Sequence, residues 1–581
     1  MSNITACPLD CYDACSIIVE NEKLKATKEG YTQGFLCPHL NHYNKFQTIK
    51  SPSYKGKEIS LEKSLEILKE MLKNSAKNQI LHYRGSGNFG LMQESTDHFF
   101  NSFETTLTDG SLCDGAGEVG ILKGRGSNKN MPLSEIAKSE VVILWGRNPH
   151  TTSSHLLPLL KGKKVIVIDP IQTKITKTAD LHIQLKPHGD YTLAMLLSRF
   201  ITIHGLVDEE YIEKYATEYE EFYELTQTIR IKANLDDIDV TLGQIGKILE
   251  LIKGKKVAIV TGVGIQKYSD GADVVRAIDA FATFLGLFAK EGCGVAYLGD
   301  SKEGIETPFA KPTKKKISKV DTLFSMYKTV FIQGANPLSQ MPNTQRVEAS
   351  LAKVENIVYF GLYENETSAK ADLIIPAKSF LYKNDIRTSY SHNAMLEMSK
   401  QFETDIGISE YDLSSYLCKE FDIELESEEF YINHFKSFAT QQSDGTLVVT
   451  DRETIPYQNG FDTDDGEFLF LEEYDNDFNM KDKLFLITPK SKNSLNSQFN
   501  REENIYLNSA LGFVDDEVVT ISSISGAVHL KVKNDDRVRA DCVLIYSGTE
   551  GVNNLTTSKH SLDGKSAIYQ ENKVEIQKIK K

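Results

Sequence analysis

The chain has 581 residues, of which 40% are apolar, 9% aromatic and 25% charged. That balance suits a folded protein with core for about three or four domains, and excludes a disordered, collagen-like or coiled-coil chain for most of its length. Its 81 acidic and 66 basic residues give a formal charge of -15. This argues against a general nucleic-acid binder, which needs a positive field, and leaves room for a local basic pocket. No run of about 18 apolar residues occurs, so direct membrane insertion is not expected. The start, MSNITACPLDCYDAC, has no charged n-region, apolar h-region or twin arginine, so the expected address is cytoplasmic. Thiols stay reduced there, and the eight cysteines read as metal ligands, catalytic groups or buried small hydrophobes rather than as a disulfide frame.

Half of the cysteines crowd the amino end: Cys7, Cys11, Cys15 and Cys37, spaced C-x3-C-x3-C-x21-C. Three thiolates four residues apart can turn around one face of a 4Fe–4S cube, and the fourth follows a hairpin over 16–36 in which NEK and EGY read as turns. Zinc is the competing metal, although structural zinc sites favour two C-x2–4-C pairs over a triplet and a singleton. A set of thiols without a metal is the third reading.

Further along, a pattern occurs twice. VVILWGRNPH (141–150) is followed by KKVIVIDPIQTKITKTADLHIQL (163–185), and TVFIQGANPL (329–338) by ENIVYFGLYENETSAKADLIIPA (355–377). Each unit has an apolar run ending in Gly-x-Asn-Pro, a helix-length stretch, a second apolar run, a Thr-containing loop, and Ala-Asp before a third apolar run. Short buried strands alternating with helices predict a doubly wound parallel sheet. Gly-x-Asn-Pro at a strand's carboxyl end is where such sheets bind ligands: Gly lets the backbone approach, Pro fixes the exit, and Asn can bond a base or ribose. Two copies imply two similar ligands. LHYRGSGNFG (81–90) and KKVAIVTGVGIQKY (255–268) extend the architecture, and neither is G-x-G-x-x-G. The acidic stretch over 420–482 reads as a solvated connector, with a partner-docking surface as the alternative. After it, LFLITP, EVVTISSISGAVHLKVK and RADCVLIYSG alternate apolar and polar positions, predicting a β-rich, barrel-like terminal domain.

The cysteine quartet, SLCDGAG around Cys113, LWGRNP, VIDP, Ala-Asp at 179–180, Gly-Asp at 189–190, QGANP, NETSAKADLIIPA, LITPKSKNSLNSQF and the closing GVNNLT together carry a resemblance. Over nearly its whole length the sequence resembles the molybdenum or tungsten bis-pterin oxidoreductases of the dimethyl sulfoxide reductase superfamily. The resemblance implies a pseudo-symmetric α/β body binding two molybdopterin guanine dinucleotides. The expected domains are a 4Fe–4S domain over 1–50, a discontinuous α/β domain over 51–130 and 325–440, and a second α/β domain over 131–324. An acidic connector over 441–482 and a β-barrel over 483–581 complete the chain. Cys113 matches the position that binds the pterin-held metal, with Asp114 as the alternative ligand and a buried structural cysteine as the bland one. Dinucleotide contacts carry over to Gly146, Asn148, Asp169, Thr173 and Asp190 for one ligand, and to Gly334, Asn336 and Thr367 for the other, with Asn553 placed to touch a pterin. A buried Asp accepting from guanine N–H groups is the physical reason for Asp169 or Asp190. Cys293, Cys418 and Cys542 read as core.

Three positions depart from the family pattern. Where members commonly carry C-x-K, with the lysine between cluster and pterin, this chain has Cys37-Pro38-His39; His39 is expected in the electron path, with a charge that varies near neutral pH. The frequent Arg after Asp-Pro is Ile171, and Gly-Thr-Asp reads His188-Gly189-Asp190. Formate dehydrogenases of this type place a histidine after the metal ligand; Asp114 in that place would repel formate unless protonated. The expected activity is a two-electron conversion of a small molecule (an oxyanion, sulfur compound, N- or S-oxide, or formate), with electrons passing through the cluster to a ferredoxin-like or iron–sulfur partner. The alternatives are a non-catalytic electron-conduit subunit, a formate dehydrogenase-like catalytic subunit, and non-redox hydration on a tungsten centre.

Overall fold

Continuous apolar runs ending in glycine become strands buried on both faces, as parallel sheets require. In the computed structural model, which describes residues 4–579 apart from 29–31, 42, 44–46, 88, 218, 310–315, 443–445 and 475–483, these strands form two sheets. The smaller runs Leu181–Ile183, Lys164–Ile168, Val141–Trp145, Val257–Thr261, Gly294–Ala296, all parallel. The larger runs Lys316–Ser318, Thr106–Asp109, Ile80–Arg84, Thr329–Gln333, Asn356–Gly361, Leu373–Pro376, and ends in the antiparallel hairpin Ser53–Tyr54 and Lys57–Glu58.

The repeat seen in the sequence is a repeat in space. Val141–Trp145, Lys164–Ile168 and Leu181–Ile183 occupy the same places in one sheet as Thr329–Gln333, Asn356–Gly361 and Leu373–Pro376 in the other. The Ala-Asp of each unit ties down backbone. Asp180 accepts from Val165 N at 2.9 Å and Asp372 from Ile357 N at 2.9 Å, which fixes the third strand to the second. The flanking strands differ in chain order. Val257–Thr261 follows its repeat unit, whereas Ile80–Arg84 precedes its own by more than two hundred residues. The smaller sheet therefore interrupts the larger one in sequence, and the chain re-enters the larger sheet at Lys316–Ser318, ahead of the division expected at 324. That strand, with only a partly buried Ile317, is too short to announce itself.

Two smaller β units, one at each end of the chain, pack beside these sheets. Ile4–Ala6, Ser16–Glu20 and Lys23–Ala26 form an antiparallel sheet whose tight turn puts Asn21 and Glu22 at φ 50° and 62°. This is the primed geometry that a two-residue hairpin needs, at the NEK segment; the EGY segment lies outside the described residues. Residues 484–578 close a six-stranded barrel in the order Leu484–Ile487, Cys542–Leu544, Asn504–Leu507, Ala527–Asn534, Val518–Ser522, Lys573–Lys578. Ile171 bridges Val538 of this barrel and Gln172 N donates to Arg537 O at 3.0 Å, so the loop at Ile171 seals the barrel against the smaller sheet.

Between 457 and 470 the acidic stretch is not a solvated connector, and its residues 443–445 and 475–482 lie outside the described residues. Tyr457, Phe461, Phe468 and Phe470 are buried in the core of the smaller sheet, and Phe468–Leu469 pairs with Ala216–Thr217. Carboxylates set between these aromatics face outward while the rings face in, so net charge concealed a core segment. Phe468→Ala is expected to lower stability by about 3–5 kcal/mol in chemical denaturation, whereas a change within about 0.5 kcal/mol, typical of a solvated surface position, would restore the connector reading.

Candidate functional site

Both sheets reverse strand order at their centre, between Val141–Trp145 and Val257–Thr261 and between Thr329–Gln333 and Ile80–Arg84. At each reversal the two chains leaving the sheet end in glycines pressed together. A Cβ on Gly262 would lie 1.8 Å from Gly146 O, and one on Gly85 would lie 2.4 Å from Gly334 O. Gly146 and Gly334 themselves have φ of 63° and 54°. Each is followed by an Asn that precedes a short helix with Pro at its first turn, Pro149–Thr152 and Pro337–Gln340. Such carboxyl-end crevices are where open α/β sheets bind ligands.

The two crevices open into one cavity of about 1700 Å³. Its wall includes Gly146, Asn148, Asp169, Thr173 and Asp190 from the smaller sheet, Gly334 and Asn336 from the larger, and Asn553 from the barrel domain. Cys113, Asp114, His39, Cys11 and Cys37 also line it. Thirteen Lys and Arg against nine Asp and Glu make this wall basic, the reverse of the chain as a whole.

The two arms are not equally poised. Asn336 is satisfied by protein: its amide donates to Glu366 at 2.7 Å and Ser497 at 3.0 Å, and its oxygen accepts from Thr367 Oγ1 at 2.8 Å. Thr367 lies behind Asn336 and does not line the cavity, so it holds the loop. In the other arm, Asn148 Oδ1 and Thr173 Oγ1 are buried without a hydrogen-bond partner, which is costly unless a ligand completes them. Asp169 accepts from Ile171 N at 2.8 Å, yet burial pushes its carboxyl up to about 7. Burial likewise pushes Asp190 up to about 6, opposed by the Trp145 Nε1 donor at 2.7 Å. Asn553 donates to Ser339 O at 2.7 Å and ties the barrel domain to the larger-sheet crevice.

Cys113 stands where the loop after Thr106–Asp109 meets the helix Gly115–Arg125. The turn is held by Ser111 Oγ, which accepts from Cys113 N at 2.9 Å, and by Gln266, whose side chain donates to Cys113 O and accepts from Gly117 N at 3.0 Å. The far end of the helix is anchored by a buried ion pair in which Arg125 Nε donates to Asp279 Oδ2 at 2.7 Å. Burial pushes the thiol up, while the ammonium groups of Lys267 and Lys490 pull it back. Neither lysine is singled out by the sequence, although Lys267 lies inside the segment KKVAIVTGVGIQKY and Lys490 inside LITPKSKNSLNSQF.

The four amino-terminal thiols are near enough to influence one another, and Cys11 and Cys37 line the cavity. Cys7 N donates to Cys15 O at 2.8 Å, and Leu40 N points to Cys37 Sγ at 3.4 Å. Burial pushes all four thiols up, Cys37 to about 12, with neighbouring cysteines adding to the shift at Cys7, Cys15 and Cys37. Among the described residues, the one group of three ligand atoms within 4.8 Å of one another is Asp13, Cys15 and His155, so no three of the four sulfurs are that close. His39, on the short helix Pro38–Asn41, is buried with Nε2 3.3 Å from Ser491 O. Of the other cysteines, Cys418 and Cys542 are buried and Cys293 is half-buried.

The molybdopterin oxidoreductase family profile matches residues 61–405, more than half of the chain. A probable oxidoreductase of Bacillus subtilis, YyaE, is 26% identical over 451 residues, covering 70% of this chain and 67% of its own. The assimilatory nitrate reductase catalytic subunit of the same organism is 26% identical, over 47% of this chain and 44% of its own. The F420-dependent formate dehydrogenase subunit alpha of Methanocaldococcus jannaschii is 23% identical, over 63% and 61%. For these last two the match spans less than two thirds of the relative's length. The fold is also that of acetylene hydratase from Pelobacter acetylenicus, with a TM-score of 0.81 over 99% of this chain and 100% of the other, at 15% identity. The glycine-lined crevices, the unsatisfied buried oxygens of the smaller-sheet one and the basic wall suit a phosphate-bearing pterin, and the chain belongs to the molybdopterin oxidoreductases, a family of enzymes.

Proposed function

We propose that the chain uses two molybdopterin guanine dinucleotides and one 4Fe–4S cluster to carry out a two-electron conversion of a small molecule. The observation that carries this reading is the single cavity joining both crevices, Cys113 and two of the four amino-terminal thiols. Bound in the two crevices beside Cys113, the pterin-held molybdenum or tungsten would supply two-electron chemistry, and a cluster held by Cys7, Cys11, Cys15 and Cys37 would supply one-electron exchange with a ferredoxin-like or iron–sulfur partner. The substrate class is an oxyanion, a sulfur compound, an N- or S-oxide, or formate. The formate and nitrate enzymes among its relatives support a redox substrate.

The residues of the cavity divide the work of holding such a ligand. Gly262 and Gly85 let the facing Gly146 and Gly334 loops close up and shape the two crevices for the dinucleotides, and the basic wall neutralises their pyrophosphates. Asn148 and Thr173 bond the ligand with the oxygens that the protein leaves unsatisfied, and Asp169 or Asp190 receives the guanine N–H groups. Cys113, held by Ser111 and Gln266 at the start of a helix, offers its sulfur to the metal, with Lys267 and Lys490 favouring the thiolate against burial. Cys7, Cys11, Cys15 and Cys37 hold the cluster. Their order along the chain, a close triplet followed by a singleton, supports a polynuclear centre, since structural zinc sites favour two close pairs. His39 stands between the thiols and the barrel segment around Ser491.

Holoprotein from a host that makes the pterin is expected to carry about four iron atoms and about one molybdenum or tungsten per chain. Iron without the heavier metal would instead mark an electron-conduit subunit. Cys113→Ala should keep its iron while dye-linked turnover falls by about a hundredfold or more, whereas Cys37→Ala should lose iron. Turnover without any electron acceptor would overturn the redox reading.

The acid near the guanine arm gives a pH signature in protein free of pterin. The Asp169 carboxyl sits at about 7 in the folded chain, against about 3.9 unfolded, so its contribution to stability is complete below pH 4 and is lost as pH rises through 7. Asp169→Asn cannot ionise, and its stability relative to the wild type should rise between pH 4 and 8, by up to about 4 kcal/mol. Parallel denaturation profiles across that window would mean the carboxyl is ionised throughout.

A further inference from the structure

Arg387 lies on the strand Asp385–Arg387, more than three hundred residues from the cysteines it reaches. It is among the largest fully buried side chains, at 0% exposure. Its NH1 donates to Cys7 O at 2.7 Å and its NH2 to Cys11 O at 3.4 Å, so one rigid fork spans the first two members of the quartet. A guanidinium keeps its charge at any working pH, and a buried cation is stable only where acceptors and negative charge surround it. The acceptors here are the carbonyls of the thiol loop itself. Burial pushes the thiols of Cys7 and Cys11 and the carboxyl of Asp10 up, and Arg387 pulls all three back, which places its charge within reach of each. Asp13, which bears on Cys11 and Cys15, acts in the opposite sense, and its side chain is engaged by His155 Nδ1 at 2.8 Å, itself 3.3 Å from Cys15 Sγ.

Resting on the proposed cluster, we infer that Arg387 is a positioning residue that sets the cluster's reduction potential: a fixed internal cation, clamped to the backbone of its ligand loop, that favours the reduced form. Each electron delivered to a thiolate-bound cluster adds one negative charge with no bond made or broken; the electron comes from the oxidised substrate or from the partner protein. A permanent positive charge beside two of the four ligands stabilises the extra negative charge. The role is distinct from that of His39, which approaches from the fourth cysteine and the barrel side.

The test is a potentiometric titration of the cluster's electron paramagnetic resonance signal in holoprotein, with iron counted on the same samples. Arg387→Gln removes the charge and keeps a donor; its iron should match the wild type and its reduction constant should fall at least tenfold, about 59 mV for one electron. Full iron with an unmoved midpoint overturns the inference. If Arg387→Gln fails to hold iron, Arg387→Lys decides, because it keeps the charge and loses the fork. Iron retained with a midpoint within tenfold of the wild type supports the inference, and any other result for the lysine variant overturns it. A wild-type holoprotein without an iron–sulfur signal overturns the proposed cluster along with this inference.

Discussion

The fold is organised around a steric constraint. In each sheet two neighbouring strands must part in opposite directions, and their first residues beyond the sheet lie so close that a single methyl group on Gly262 or Gly85 would strike the facing carbonyl. The backbone can separate there only because no side chain intervenes. That parting creates the crevice, and because it occurs in both sheets the molecule has two crevices facing a common space. The helix carrying Cys113, the thiol sheet and the barrel are attached around that space, each fixed by bonds to another unit: Arg125 to Asp279, Arg387 to Cys7 and Cys11, Asn553 to Ser339.

Charge is arranged against the composition. A chain with 15 more acids than bases lines its interior cavity with more bases than acids, while many carboxylates lie on the outer faces, as in the segment around Phe461 and Phe468. Long-range repulsion between an acidic surface and an anionic ligand is thereby opposed where the ligand would sit, in a region of lower dielectric where each cation counts for more.

How much of this can be read in advance follows from the physics of each feature. The duplicated units are legible because strands buried on both faces are unbroken apolar runs, and because Gly-x-Asn-Pro marks where they stop. The barrel is legible through alternation, and the thiol quartet through spacing. Thr367 reads as a ligand contact in the sequence, but whether a hydroxyl faces a cavity or a neighbouring Asn336 depends on a loop's path and not on its composition. The stretch holding Tyr457 and Phe468 misleads because carboxylate density dominates an average that ignores which face each side chain takes. Arg387 leaves no trace at all: a lone basic residue on a three-residue strand acquires meaning only from partners hundreds of positions away.

The order in which the strands occur along the chain bears on how the molecule is made. All five strands of the smaller sheet lie between 141 and 296, so its hydrogen-bonded ladder can form as soon as that stretch has left the ribosome, while its core is closed only when Phe468 and Phe470 follow. Ile80–Arg84, by contrast, needs Thr329–Gln333 beside it, and at usual synthesis rates waits about 12–50 s for that partner to be translated. During that interval an apolar edge stays open on the nascent polypeptide, and its protection falls to chaperones or to transient pairing with Thr106–Asp109 alone.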